Sequence, residues 1–408
     1  MGRFCLQQMV KPSFFSLRMT NQSHPRLHKC YSIHLAHRGF AIISIFLWLT
    51  ITGTLTGCSV TQDSDTLPTP GSGSSIIPES ESWWKVLFTE PETISSPERP
   101  QGSIMENLIE RINRAQQSIH VAAFEFDLLP VAEALIAAQQ RGVEILWITD
   151  DEYGVNDDPD GLFALLARNG IGIQQDNSSG LMHNKFLIFD GDTVWTGATN
   201  ITENGIFHNN NNVLVIKSQP LARIFEREFD EMWEGQFGPT SPATVSSQSV
   251  TVEQTPILVL FASEDDVIDQ LIPIIQGAQH SIRFMAFSFT DDALGNAVGE
   301  RAKAGVNVMG IFETRGSETT SSELERLYCA QIAVRQDGNP SLLHHKVFVI
   351  DDEIVITGSM NFTDNADENN DKNVIILANA EIAAAYLHEF ELRWREARLP
   401  PKGTFVCQ

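Results

Sequence analysis

The chain carries one pattern twice. In residues 182–191, MHNKFLIFDG, His183 and Lys185 stand two apart ahead of Asp190. Residues 342–351, LLHHKVFVID, repeat that spacing with His344, Lys346 and Asp351. Gly197 and Asn200 follow His183 by 14 and 17 residues, and Gly358 and Asn361 follow His344 by the same intervals. The flanks run in parallel as well. SIHVAAFEF matches SIRFMAFSF, and the offset stays at 161–163 residues from Ser118/Ser281 to Asn200/Asn361. A repeat of this length is a whole supersecondary unit present twice, which constrains the fold more than any composition does.

Each unit opens on an apolar strand, KVLFTEPE or LVLFASED, followed by an amphipathic helix over Ile104–Gln117 or Asp266–His280. The strands SIHVAAFEF and SIRFMAFSF follow, then helices ending QQRGVEILWITD and RAKAGVNVMGIFE. Then come the His-Lys strand, a tight turn, a strand ending in Gly, and a long closing helix, PLARIFEREFDEMWEG or AEIAAAYLHEFELRWREA. The expected fold class is α/β: two duplicated units packed about a pseudo-two-fold axis with the active site between them. The expected divisions are residues 83–237 for half 1, a Ser/Thr/Gln-rich linker over 238–256, and 257–408 for half 2.

Successive side chains on a strand alternate faces, so His183 and Lys185 point one way while Phe186 and Ile188 point the other. Polar groups buried on an apolar strand need partners or a task. A single such histidine is ordinarily a hydrogen-bonded core residue. Two copies related by a pseudo-two-fold axis are expected to converge, each forming one wall of a shared site. The interleaved His345 has the opposite parity to Lys346 and is expected to be structural.

The doubled motif resembles the phospholipase D superfamily, in which H-x-K-x4-D occurs twice and each copy is followed by G-S/T-x-N. HNKFLIFD with GATN and HHKVFVID with GSMN carry the match, which covers roughly Trp83 to Ala397. The resemblance implies a phosphodiester site in which His183 attacks phosphorus and His344 protonates the leaving alcohol and later activates water. Lys185, Lys346, Asn200, Asn361 and Ser359 would hold the phosphate oxygens. Imidazole is competent in both roles, and lysine and amide donors stabilise charge developing on those oxygens, so neither a cofactor nor a metal is expected. Asp190 and Asp351, next to the turns, are read as bracing the hairpins.

The sequence departs from the family pattern in places. Many relatives place a Glu two residues after an Asn to orient the histidine. Here those positions are Asn211, in NNNNVLVI, and Lys372, in NNDKNVIIL. An amide can still fix a tautomer, and Asp371 can substitute by a one-residue shift. Ala198 replaces the Ser of the first G-S/T-x-N element. NDDPDG, residues 156–161, resembles the start of a calcium loop, but its twelfth position is Ala167, where a bidentate Glu is needed. Asp160 is expected instead to cap a helix. No C-x-x-C or H-E-x-x-H occurs.

Residues 1–57 hold six Lys or Arg and no acid, and from Phe40 they run into FAIISIFLWLTITGTL, the composition of an export signal. The run ends at LTGC, which resembles a bacterial lipobox and implies lipidation of Cys58. Residues 58–82, rich in Ser, Pro, Thr and Gly, read as a disordered tether. An exported bacterial lipoprotein, anchored to the membrane outside the cytoplasm, is the expected form. Without residues 1–57 the chain keeps 22 Lys and Arg against 52 acids, a balance near −30 that disfavours nonspecific nucleic-acid binding. Cys329 and Cys407 remain as a pair that an oxidising compartment permits to join.

The function expected from the resemblance and the anchor is hydrolysis of a phospholipid headgroup ester through a phosphohistidine. The expected partners are a phospholipid substrate and the membrane. An extracytoplasmic endonuclease with the same site residues is the alternative enzyme, and a degenerate binding module the alternative of another class. Oligomeric state stays open.

Overall fold

The computed structural model describes residues 82–152, 160–241 and 248–407. The expected signal, Cys58, all of the tether but its last residue, and four residues of the NDDPDG stretch lie outside them. No helix among the described residues is long and apolar enough to cross a membrane.

Half 1 runs β1 (Trp84–Phe88), α1 (Ile104–Arg114), β2 (Ser118–Ala123), α2 (Leu129–Gln140), β3 (Glu144–Thr149), α3 (Leu162–Arg168), β4 (Gly172–Gln175), β5 (Lys185–Phe189), β6 (Thr193–Gly197), β7 (Asn212–Lys217) and α4 (Gln219–Trp233). Half 2 runs β8 (Ser249–Val252), β9 (Thr255–Phe261), α5 (Val267–Gly277), β10 (Ser281–Ala286), α6 (Asp292–Lys303), β11 (Asn307–Phe312), α7 (Glu323–Cys329) and β12 (Ala333–Gln336). It continues through β13 (Lys346–Ile350), β14 (Ile354–Gly358), α8 (Asp364–Glu368), β15 (Asn373–Ala378) and α9 (Ala380–Glu396). The two sheets have the orders β1-β7-β6-β5-β2-β3-β4 and β12-β11-β10-β13-β14-β15-β9-β8. Each is mixed. β2, β3 and β4 are parallel, as are β10, β11 and β12, and the motif hairpins β5-β6 and β13-β14 join them antiparallel.

β5 and β13 are buried throughout, which explains why KFLIF and KVFVI read as continuous apolar runs behind their lysines. Parity assigns their side chains to different layers. Phe186, Ile188, Val347 and Val349 enter one core shared by both sheets with α4 and α9. Leu187 and Phe189 enter a core under α1 and α2, while Phe348 and Ile350 enter one under α5 and α6. Matching cross-half hydrogen bonds cross the shared layer: Asn212 Nδ2 to Thr357 Oγ1 (2.9 Å) and Asn373 Nδ2 to Thr196 Oγ1 (2.7 Å).

Four sequence expectations are corrected. The first helix ends at Arg114 and not Gln117, because the N–H groups of Gln116, Gln117 and Ser118 go to the Asp190 carboxylate. The helix expected over 266–280 spans Val267–Gly277, because Gln279, His280 and Ser281 donate to Asp351 in the same way. The 238–256 segment is not merely a linker. β8 pairs with β9 across a two-residue turn, Glu253–Gln254, in which both φ angles are positive, as a tight hairpin turn requires. Asp160 does not cap α3; Gly161 holds that position.

Cys329 and Cys407 form a disulfide that ties the C-terminus to the end of α7, and Phe405 packs against Tyr328 beside it.

Candidate active site

The two histidines sit just ahead of β5 and β13, where each half hydrogen-bonds to the other. His183 N–H donates to the Asp371 carbonyl (2.9 Å), and Asp371 N–H returns to Leu181 (3.0 Å). In the second copy His344 N–H donates to Asn210 (2.9 Å), and Asn210 N–H returns to Leu342 (2.8 Å). Each histidine is therefore seated beside the start of the other half's last strand. The neighbouring N–H groups are held by acids ending the central parallel strands: Met182 donates to Asp150 Oδ2 (2.9 Å), and Leu343 to Glu313 Oε2 (2.6 Å). Sequence reading assigned these two acids no role. Their signal was the carboxylate shared by WITD and GIFE.

Lys185 and Lys346 are buried, and each donates to the carbonyl of its own histidine, at 3.0 and 2.8 Å. Phe124 and Phe287 wall the site symmetrically. Their rings lie 4.8 and 4.9 Å from those of His183 and His344, with the Lys185 and Lys346 ammonium groups 5.2 and 4.8 Å away. This pair, too, was unassigned, although AAFEF and MAFSF align it.

The Nδ1 partners differ between the copies. Asn211 Oδ1 lies 3.0 Å from His344 Nδ1, and the Asn211 Nδ2 is fixed by donation to the Gly205 carbonyl (2.8 Å) in the π-helical turn Asn204–His208. Lys372 Nζ lies 2.9 Å from His183 Nδ1. The expected substitution by Asp371 does not occur. Lys372 points into the site, and the Asp371 carboxylate turns away to accept Gly238 N–H (2.7 Å). Asp371 supports the site through its backbone bridge.

The expected phosphate ligands are placed as follows. Asn200 Nδ2 donates to Glu125 Oε2 (2.9 Å), a bond that phosphate binding there would exchange. The Oδ1 atoms of Asn200 and Asn361 are buried without hydrogen-bond partners. Ser359 is fully buried and its Oγ accepts Asn373 N–H (3.0 Å), leaving the hydroxyl proton to donate. Asp190 and Asp351 lie at the far ends of their strands. Burial raises the Asp351 carboxyl, but the three backbone donors outweigh it and hold the group below its ordinary value. His345 uses both ring nitrogens, on Asn212 Oδ1 (3.0 Å) and Glu389 Oε1 (3.2 Å), inside the shared core.

Burial, then the surrounding lysines, hold His183 and His344 well below the usual imidazole value; near His344 the Ala198 carbonyl pulls the other way. Burial first, then repulsion from Lys372, pushes Lys185 and Lys346 well below the usual ammonium value; Lys346 adds to the effect on Lys185, and Glu125 and Asp150 oppose it there. Lys372 is lowered by burial to about 7, with Asp371 opposing. Lys185, Lys346 and two neutral imidazoles in a water-poor site can receive a phosphoryl anion, whose charge favours protonated lysines, while Lys372 stands behind His183 on its Nδ1. Among the described residues, two sets of carboxylates, Asp150/Asp151/Asp176 and Glu228/Glu231/Glu264, bring oxygens within 4.8 Å of one another. The sequence showed neither, because the third member of each set, Asp176 or Glu264, comes from a separate stretch of chain.

The family model described as cardiolipin synthase, PLD-like domain, matches residues 108–233 and again 271–394, together more than half of the chain. The chain belongs to the phospholipase D superfamily. It is 33% identical over 141 residues to the mitochondrial cardiolipin hydrolase of Homo sapiens, covering 35% of this chain and 56% of that protein. It is 36% identical over 116 residues to a phospholipase D of Rickettsia bellii, covering 28% and 58%. The matched segment spans little more than half the length of these relatives. The fold of phosphatidylserine synthase from Haemophilus influenzae is similar with a TM-score of 0.57 at 12% identity, over 72% of this chain and 85% of that one. The superfamily assignment accounts for the doubled motif and for the two-sheet α/β architecture.

Proposed function

We propose that this superfamily member is a phosphodiesterase that hydrolyses a phospholipid headgroup ester through a covalent phosphohistidine. The observation that carries the reading is the convergence of His183, His344, Lys185, Lys346 and Lys372 across the two halves. One imidazole attacks phosphorus in line with the departing alkoxide, and the other protonates that oxygen. Lys185 and Lys346 neutralise the phosphoryl oxygens as charge accumulates. Hydrolysis of the phosphohistidine by water, activated by the second imidazole, completes the cycle.

The lipid assignment is supported by the excess of acidic residues, which opposes association with a polyanion, and by similarity to a cardiolipin hydrolase and a phospholipase D. Export and lipidation at Cys58 belong to the same proposal, since they would hold the site beside a bilayer. The test is product analysis of the full chain in detergent against mixed phospholipids and, separately, single- and double-stranded DNA. Phosphatidic acid with released headgroup is the expected outcome. Cleavage of DNA alone transfers the reading to an endonuclease, and turnover of neither transfers it to a binding module.

A further inference from the structure

Asn211 and Lys372 are the same position of the repeat, 161 residues apart, the interval that also separates His183 from His344. The phenylalanine rings and motif lysines about the two imidazoles are closely matched, while the Ala198 carbonyl adds a second acceptor near His344. The difference at this position sets where each ring carries its proton.

Asn211 Nδ2 is committed to the Gly205 carbonyl, so the atom facing His344 Nδ1 is the amide oxygen. An amide oxygen only accepts, so Nδ1 of His344 bears the proton and Nε2 keeps its lone pair. His183 meets the opposite partner. An ammonium only donates, and with a phosphoryl anion in the site Lys372 is charged; Nδ1 of His183 then carries the lone pair and Nε2 the proton. With both Nδ1 atoms engaged across the halves, the Nε2 atoms are left for substrate. One is a bare base and the other an N–H donor.

Resting on the phosphodiesterase reading above, we propose that His344 is the nucleophile and His183 the proton donor, its proton replaced through the ring by Lys372. This reverses the roles that the family resemblance implies. His344 Nε2 forms the bond to phosphorus as the bond to the leaving oxygen breaks. That oxygen takes the Nε2 proton of His183, and Nδ1 of His183 takes one from Lys372 Nζ. Lys372 becomes a neutral amine, and His183 becomes the other neutral tautomer with Nε2 free. In the second step Nε2 of His183 takes a proton from water as the water oxygen bonds phosphorus. The P–N pair returns to His344, and the Nδ1 proton of His183 returns to Lys372. Protons and charge balance, and the site is restored.

Lys372 touches substrate at no step and is a positioning residue. Burial holds its ammonium near 7 against the opposing pull of Asp371, so it parts with a proton more readily than an ordinary lysine. The other charged or titratable groups about the pair are Lys185, Lys346 and His344.

The test uses the full chain in detergent with two esters: bis(p-nitrophenyl) phosphate, whose leaving group needs no proton, and a short-chain phosphatidylcholine, whose alkoxide does. His183→Ala should lose choline release by about 10³-fold or more yet give a burst of nitrophenol with phosphoryl label on His344. His344→Ala should give no burst from either ester. Lys372→Met should slow choline release by about 10²-fold while leaving the nitrophenol burst within a few-fold. Lys372→Arg should not rescue it, because guanidinium donates a hydrogen bond without releasing the proton. A burst in His344→Ala with label on His183 overturns the assignment, and full rescue by Lys372→Arg overturns the relay. An independent readout is nitrogen-15 NMR of histidine-labelled protein with inorganic phosphate, expected to show Nδ1–H on His344 and Nε2–H on His183. The opposite tautomers in a chain that turns over both esters overturn the assignment alone. Failure of the unmodified chain to release nitrophenol or choline removes the phosphodiesterase reading and the proposal with it.

Discussion

Asn211 Oδ1 lies 3.0 Å from His344 Nδ1 while Lys372 Nζ lies 2.9 Å from His183 Nδ1, so two equivalent positions of a repeat offer an acceptor to one histidine and a donor to the other. Two further differences accompany it, the Ala198 carbonyl acting on His344 and the Glu125 carboxylate acting on Lys185.

Replacing Asn211 by Leu removes the acceptor and leaves the Gly205 carbonyl without its partner. The kcat should fall about 10- to 100-fold, as when the residue orienting a functional imidazole is lost. Asn211→Asp should retain more activity and change its pH dependence. A carboxylate beside His344 favours the charged ring, so a histidine that must start neutral will need a higher pH, and the acid limb of kcat/KM should move upward. An unshifted limb with unchanged kcat in both variants would contradict the role given to Asn211.

Lys372 makes folding stability depend on pH with a definite sign. Its folded value, about 7, lies below the ordinary 10.5, so between those values the unfolded chain binds the extra proton and stability rises with pH. His183 and His344, held well below 6.5, act in the same direction at pH values below 6.5. The buried acids with raised values, Asp371 among them, act oppositely, so the measurement is a difference. Urea midpoints of the unmodified chain and Lys372→Met should show the variant more stable by roughly 2–4 kcal/mol at pH 7, with the gap closing toward pH 10. A gap that widens with pH would refute the assignment.

Gly358, the glycine of the second G-x-x-N element, has φ 149°, and a Cβ there would run into the carbonyl oxygen of Asn373. Gly358→Ala should cost roughly 2–4 kcal/mol in thermal or urea unfolding. It should also lower kcat, because the strand it displaces begins one residue after Lys372. Gly197, at φ 148° against Asn212, should respond alike.

The Cys329–Cys407 bond closes a segment with a sequence separation of 78. Chain-entropy reasoning gives such a bond about 4 kcal/mol, and measured values commonly fall between about 2 and 4. Cys407→Ser should lower the Tm measurably under oxidising conditions, and reductant should lower that of the unmodified chain to match. Indifference to reductant would mean that the bond is not formed in solution.

Cys58→Ser should accumulate as uncleaved precursor in a bacterial host, whereas the unmodified protein should partition into the detergent phase. Normal cleavage of the variant would remove the lipobox reading.

The repeat made much of this legible in advance. Spacing alone singled out His183, Lys185, His344 and Lys346 as candidates, and parity separated Phe186 from Leu187. The sequence could not show which neighbour each histidine would meet, because those contacts cross between halves about 130 to 190 residues apart. Asp371 looked like the available acid, yet adjacent residues on an extended chain point opposite ways, and the backbone bridge to His183 turns Lys372 inward. Helix ends were misjudged because the Asp190 and Asp351 carboxylates capture backbone donors that local periodicity assigns to a further turn.

The reciprocal bridges at Asp371 and Asn210 have a consequence for how such a site can specialise. Two identical copies of one half, joined by the same contacts, would have to present the same residue to both rings: two amides or two lysines. Every proton position would then be mirrored, and neither ring would differ from the other before substrate arrived. Carrying both halves on one covalent chain frees each position to change alone, so the preference for one histidine over its twin is a property of the connectivity as much as of the residues.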